Sequence, residues 1–297
     1  EGKKSGAVSA FAINQKTGDL EFLNKQPSLG GAPCFITVSE NGKFVLVANY
    51  VGGNVAVFPV ETGGKLGASI DLEQHSGSGV NKERQEAAHA HSINLDKKNR
   101  YAIACDLGID KVFIYDFDKK TGKLKPNPAQ AIYQTKPGAG PRHFAFHQSG
   151  KFAFLINELD STISSLAYDA KQGTLKEIQT VSTLPADFTG ENTCADIHVS
   201  PNGEFLYGSN RGHDSIFSYR IDKKTGKLVF LEHISTGGST PRNFAIAPNG
   251  KFLLTANQNS DSVIVFRLNE KSGKLSPTNY KAEISKPVCL KMIPSFS

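Results

Sequence analysis

Short runs of β-branched, aromatic and aliphatic residues, such as Phe152-Ala-Phe-Leu-Ile156 and Ser262-Val-Ile-Val-Phe266, recur along the chain between Gly-containing polar turns. Runs of this length with such borders read as strands, and no stretch of a dozen residues carries the helical period, which excludes an α/β fold. The turns themselves repeat. Asn41-Gly-Lys-Phe44 returns as Lys98-Asn-Arg-Tyr101, Ser149-Gly-Lys-Phe152, Asn202-Gly-Glu-Phe205 and Asn249-Gly-Lys-Phe252, a period of about 50 residues. A second phrase alternates with it, from Thr17-Gly-Asp-Leu20 through Gly63-Gly-Lys-Leu66, Thr121-Gly-Lys-Leu124, Gln172-Gly-Thr-Leu175 and Thr225-Gly-Lys-Leu228 to Ser272-Gly-Lys-Leu275. One period then holds four antiparallel strands joined by tight turns, which is a blade of an all-β propeller. The chain supplies five complete blades and two fragments: residues 6 to 28 give the third and fourth strands of a blade, and Pro287-Val-Cys-Leu-Lys291 reads as a first strand without its successor. We therefore expect a single β-propeller domain over 1–297 with an incomplete N-terminal blade.

Composition narrows the partners. The 297 residues carry a formal charge of +6, 28 Gly and 14 Pro, and no apolar run long enough to cross a bilayer. The positive balance comes from Lys scattered over turns, as in Lys119-Lys120 and Lys223-Lys224, so neither nucleic acid nor a membrane is expected as a partner. Cys34, Cys105, Cys194 and Cys289 form no CxxC pair, which points to reduced thiols in a cytoplasmic setting and to no structural metal or other cofactor. The opening Glu1-Gly-Lys-Lys4 holds no apolar core of a signal peptide, and the native start is expected to be missing, processed or outside this sequence. Trp is absent, which excludes the Trp-Asp class of propellers.

The repeat register gives candidate chemistry. In a regular hairpin, the residue eight before each Asn-Gly turn faces the residue seven after it. The first column is Cys34, His91, Arg142, Ala195 and Arg242; the second is Asn49, Asp106, Asn157, Asn210 and Asn257. The count predicts His91 opposite Asp106, Arg142 opposite Asn157 and Arg242 opposite Asn257, all at one mouth of the channel. Gln85, His89, His143, Glu158, Asp196, Arg211 and His213 fall around the same ring. An Asn closing a strand often only bonds the next turn, so the second column is either structural or part of the site. Two Arg at equivalent positions, Pro141-Arg142 and Pro241-Arg242, call for an anion. His91 either bonds Asp106 structurally or serves a ligand, while His147, His198 and His233 read as structural.

Several phrases, Gly6-Ala-Val-Ser-Ala-Phe, Val47-Ala-Asn-Tyr-Val-Gly-Gly53, Arg84-Gln-Glu-Ala-Ala-His-Ala-His-Ser92, Asp106-Leu-Gly, Gly140-Pro-Arg-His143, Asn157-Glu158, Ser209-Asn-Arg-Gly-His213, Pro241-Arg-Asn-Phe244 and Pro287-Val-Cys289, resemble the lactonase-type seven-bladed β-propeller family. The resemblance implies a 6-phosphogluconolactonase activity that opens 6-phosphoglucono-1,5-lactone in the pentose phosphate pathway, with a small anionic sugar lactone as partner. It also extends to carboxymuconate-lactonising enzymes, whose His, two Arg and Glu match His91, Arg142, Arg242 and Glu158 here. On that basis Glu158 or His91 takes a proton from water, Asp106 orients His91, and the two Arg hold the oxyanion and the phosphate. Gln85, His89, Asp106, His143, Asn157, Asn210, Arg211, His213 and Asn257 are expected to bind substrate. A muconolactone cycloisomerase on the same residues and a non-catalytic scaffold are the alternatives. Members usually carry about one blade more before Gly6, which favours a missing N-terminal blade over a six-bladed ring. No Gly-x-Ser-x-Gly elbow supports a serine nucleophile.

Overall fold

The computed structural model describes residues 5–293. The positive-φ turns expected from the two phrases all form: Gly42, Gly150, Gly203 and Gly250 lie at φ 68, 68, 71 and 71°, and Asn99 at 50°. A Gly reaches this region without a Cβ penalty, and Asn is the side chain that best tolerates it. Strands follow on both sides of each turn. β1 (Ala7–Ile13) pairs β2 (Leu20–Pro27) in a two-stranded sheet, as the N-terminal fragment requires. A four-stranded antiparallel sheet holds β3 (Pro33–Val38), β4 (Phe44–Asn49), β5 (Asn54–Pro59) and β6 (Asp71–Gln74) in chain order. The next holds β7 (Ala90–Leu95), β8 (Tyr101–Asp106), β9 (Lys111–Phe117) and a fourth strand cut in two, β10 (Leu124–Pro126) and β11 (Ile132–Gln134). Pro126 ends the first piece and Pro128 lies in the gap before the second. Proline has no N–H for the ladder, so only the two ends of this segment pair with β9.

Three more sheets of four strands follow. They are β12 (Pro141–Phe146), β13 (Phe152–Asn157), β14 (Thr162–Asp169) and β15 (Thr174–Ser182); β16 (Thr193–Val199), β17 (Phe205–Arg211), β18 (Ser215–Ile221) and β19 (Leu228–Ser235); and β20 (Pro241–Ile246), β21 (Phe252–Asn257), β22 (Ser262–Leu268) and β23 (Leu275–Glu283). The helical elements among the described residues are two 3₁₀ turns, Leu107–Ile109 and Gln258–Ser260. Pro287–Lys291 forms no strand, contrary to expectation, because an isolated strand has no neighbour to satisfy its backbone. That segment is instead tied down by the Leu290 N–H, which donates to Asn243 Oδ1 at 2.7 Å.

The chain divides into two compact units, one comprising the residues up to Pro141 with Ala170–Thr174, the other Arg142–Asp169 with Leu175–Ile293. In the first unit Phe44, Leu46 and Val57 pack with Ile93, Ala104 and Tyr115 between two sheets. In the second, Phe154, Ile163 and Phe217 join one pair of sheets, and Tyr207, Phe244 and Phe266 join another. Second strands are the most deeply buried: every residue of β4 and β13 is buried.

In four of the hairpins the expected cross-strand pairs are displaced by one residue, and the cause recurs. Ala90, not His91, lies opposite Asp106, and the next pair is Ser92 with Cys105. Pro241, not Arg242, lies opposite Asn257. Pro33 likewise takes Asn49 in place of Cys34, and Cys194 takes Asn210 in place of Ala195. Each first strand of these sheets carries a bulge at that point. A bulge inserts an unpaired residue and re-aims side chains, and here the inserted residue is Cys34, His91 or Arg242, with Ala195 and Asp196 together facing Ser209.

Candidate active site

The second unit gathers a dense set of charges. Glu158 follows the last residue of β13 and is buried; its Oε2 lies 2.8 Å from Arg142 Nε and 2.9 Å from Arg211 Nη2. Arg211, at the end of β17, also donates from Nη2 to the Cys194 carbonyl at 2.8 Å. Arg142, in β12, is 2% exposed, donates from Nη1 to the Ala195 carbonyl, and stands 3.1 Å from His143 Nε2. Burial and the neighbouring Arg211, opposed by Glu158 and aided by Arg242, bring Arg142 down to about 10, so it stays charged at neutral pH. Arg211 therefore joins Arg142 on Glu158, and Arg242 acts on Arg142 through its charge. Three guanidiniums thus share a neighbourhood with the carboxylates of Glu158 and Asp196.

Asp196 organises the rest. It occupies the bulge of β16, is 3% exposed, and its Oδ1 lies 2.8 Å from His143 Nδ1 while its Oδ2 lies 2.9 Å from His198 Nε2. Asn243 Nδ2 donates to Oδ2 at 2.6 Å, and the Ile197 N–H to Oδ1 at 3.0 Å. Burial alone would raise this carboxyl, but His198 and His143 hold it well below the usual carboxylate range. His143 moves the other way: burial and the adjacent Arg142 push it down to about 4. Because the unfolded imidazole protonates near 6.5 and the folded one only near 4, the unfolded chain binds more protons between these values. Stability held above about pH 6.5 should therefore be lost as pH falls toward 4, by up to about 3 kcal/mol from this group. His143→Asn should lose correspondingly less between about pH 7 and pH 4.5 in urea unfolding, and an equal acid loss in both proteins would contradict the assignment.

The remaining expected residues of this unit bond neighbouring backbone and side chains. The Asn210 amide donates to the Thr183 carbonyl at 2.8 Å and the Asn257 amide to the Thr236 carbonyl at 3.3 Å, while Asn157 donates to Thr162 Oγ1 at 2.9 Å. His213 Nδ1 sits 2.7 Å from Ser215 Oγ, and its ring meets Phe188 edge to face.

In the first unit, the Asp106 carboxylate lies against His75 rather than orienting His91. Its Oδ2 is 2.7 Å from His75 Nδ1, and its Oδ1 accepts the His89 and Gly108 N–H groups at 2.7 and 3.1 Å. His75 Nε2 reaches Tyr115 Oη at 2.9 Å, all of it buried. His89 stacks on Tyr50 with ring centres 4.4 Å apart, and His91 meets the same Tyr50 edge to face, its Nδ1 3.8 Å from Cys34 Sγ. Gln85 is fully buried and braces the loop, donating to the Leu107 carbonyl and to Asp110 Oδ1. Among the described residues no group of three or more His, Cys, Asp and Glu is placed to hold a metal, and no helix is long and apolar enough to cross a membrane.

The sequence reading missed His198, Asn243, His75 and Tyr115 as members of these networks. For His198 a signal existed, since a strand places Asp196 and His198 on one face. For His75 it lay in the repeat: its N–H bonds the Gly53 carbonyl as Thr183 bonds Ser161 and Thr236 bonds Asp214, so it holds a position elsewhere given to Thr.

Comparison with known proteins agrees with this architecture. The chain is 41% identical over 233 residues to a 6-phosphogluconolactonase of Bacillus subtilis, covering 78% of this chain and 65% of that protein. It is 38% identical over 236 residues to a 6-phosphogluconolactonase of Formosa agariphila, covering 78% and 66%. The chain thus matches a little under two thirds of the length of these relatives. Among solved structures, the periplasmic gluconolactonase PpgL of Pseudomonas aeruginosa superposes with a TM-score of 0.92 at 33% identity, over 99% of this chain and 82% of that one. A protein from Lactobacillus plantarum gives 0.90 at 34%, over 97% and 82%. The family model described as Lactonase, 7-bladed beta-propeller, matches residues 1–292, and the chain belongs to that family.

Proposed function

We propose that the protein hydrolyses 6-phosphoglucono-1,5-lactone to 6-phosphogluconate. The observation that carries this reading is the convergence of Arg142 and Arg211 on one oxygen of Glu158, with Arg242 close enough to act on Arg142 through its charge, three guanidiniums against the carboxylates of Glu158 and Asp196 and an excess of positive charge suited to a phosphorylated sugar. The names of the relatives support the same substrate class. In the reaction, water adds to the lactone carbonyl, the carbonyl electrons move onto oxygen, and collapse of the tetrahedral intermediate expels the ring oxygen. Guanidinium donors held in place before the oxyanion develops need no reorganisation to stabilise it. Arg142 is held in this way by Glu158, the Ala195 carbonyl and His143. Glu158, with one oxygen shared between two guanidiniums, acts in this scheme as the charge that fixes the arginines.

Steady-state assay on freshly generated 6-phosphoglucono-1,5-lactone, beside unphosphorylated glucono-1,5-lactone, tests the reading. The phosphorylated lactone should turn over with kcat/KM higher by on the order of 10²-fold, about what charge-assisted phosphate contacts supply. Equal values for the two lactones would remove the arginines as a phosphate anchor. Turnover of a muconolactone alone would reassign the site to cycloisomerisation, and no turnover of any lactone would favour the scaffold alternative.

A further inference from the structure

We infer that His198, fixed by Asp196, carries the proton in this reaction, accepting it from the attacking water; the inference rests on the hydrolytic reading above. An ionised carboxylate only accepts hydrogen bonds, so both imidazoles on Asp196 must donate to it, and this sets their tautomers. His143 donates from Nδ1, which leaves Nε2 as an acceptor facing the Arg142 Nη1 donor 3.1 Å away. Its basic nitrogen is therefore already engaged by a cation. His198 donates from Nε2, which leaves Nδ1 as the basic atom, and that atom has no hydrogen-bond partner among the described residues. The His198 side chain is 38% exposed, against 12% for His143, so water reaches it.

The ring is also held in plane. Phe244, from β20, meets it edge to face with centres 4.8 Å apart, and the neighbouring Asn243 bonds the same Asp196 oxygen while the Leu290 N–H fixes the Asn243 amide. A carboxylate that orients an imidazole and stabilises its protonated form is the arrangement by which histidine becomes an effective general base. Arg142, His143, Asp196 and His198 form one contiguous chain of contacts, so the anion-holding group and the basic nitrogen are linked through His143 and Asp196. The groups facing His198 are Asp196 from its own strand, His143 from β12 by way of Asp196, and Phe244 and Asn243 from β20.

The step balances without any further reagent. Nδ1 takes one proton of the water as its oxygen bonds to the lactone carbon. The imidazolium then returns that proton to the departing ring oxygen as the carbon–oxygen bond breaks. The product is the hydroxy acid, which releases its own proton to solvent.

Steady-state kinetics of His198→Asn and His198→Ala on 6-phosphoglucono-1,5-lactone test the assignment. Both should show kcat lower by about 10²-fold with KM within a few-fold of the parent, and the acidic limb of the kcat profile should vanish. Added imidazole should restore turnover to His198→Ala. Thermal unfolding of His198→Asn should stay close to that of the parent, since its amide can still donate to Asp196, which separates chemistry from folding. A parent enzyme that is active while both variants keep at least a third of its kcat overturns the role of His198 and leaves the hydrolytic reading standing. A parent inactive on every lactone overturns both.

Discussion

Replacing Arg142 with alanine should lower kcat/KM on the phosphorylated lactone by roughly 10²–10³-fold and the unfolding free energy by about 3–5 kcal/mol. Both effects come from the same burial. Arg142 is 2% exposed and is the shared partner of Glu158, the Ala195 carbonyl and His143. Its removal leaves a buried carboxylate with one guanidinium instead of two and a buried carbonyl without its donor. Arg242 offers the control. It sits in the bulge of β20 and is only partly buried, so Arg242→Ala should lose about 2–4 kcal/mol of transition-state stabilisation while unfolding changes little. Urea unfolding beside steady-state kinetics on the two variants separates the contributions. Unchanged turnover in both would remove the arginines from the site.

Glu158→Gln should act differently. The amide keeps the shape of the carboxylate but removes the negative charge that touches both Arg142 and Arg211. A buried guanidinium and a partly buried one then repel without that compensation, and stability should fall by about 2–4 kcal/mol. An added anion should bind the bared pair roughly tenfold more tightly, and inorganic phosphate should recover much of the lost stability by mass action. With His198 as the proton carrier, kcat should fall by no more than about tenfold. A collapse of kcat by 10²-fold or more with unchanged phosphate affinity would instead give the proton to Glu158, one of the two carriers, with His91, that the resemblance implied.

The blades and their turns were legible because they rest on local chemistry. A tight turn needs positive φ, Gly or Asn supplies it, and the phrases repeat at a period too regular to miss. The pairing of His91 with Asp106 and of Arg242 with Asn257 was misread because a bulge leaves the turn phrase and the hydrophobic alternation intact on both sides. Counting from Gly250 cannot reveal that Arg242 has stepped out of the ladder. The Asn column is in the expected place, yet its amides bond Thr183 and Thr236 carbonyls that lie more than twenty residues earlier, where no periodicity reaches. The role of Asp196 was hidden for the same reason. His143, His198 and Asn243 come from three different sheets, and only packing brings them to one carboxylate. The split fourth strand could have been read from Pro126 and Pro128, whose missing N–H groups are visible in any sequence.

The recurring bulge has a consequence for how such a chain changes its chemistry over generations. In each affected strand the ladder is closed by the preceding residue, Pro33, Ala90, Cys194 or Pro241, while the inserted residue is released from pairing. Cysteine, histidine and arginine already occupy equivalent insertions within this one molecule without altering the hairpin on which they stand. Exchange at these positions is thereby uncoupled from the folding of the strand. A lineage can trade one reactive group for another there and retain its core, so new substrates are reached by single replacements rather than by rebuilding a sheet.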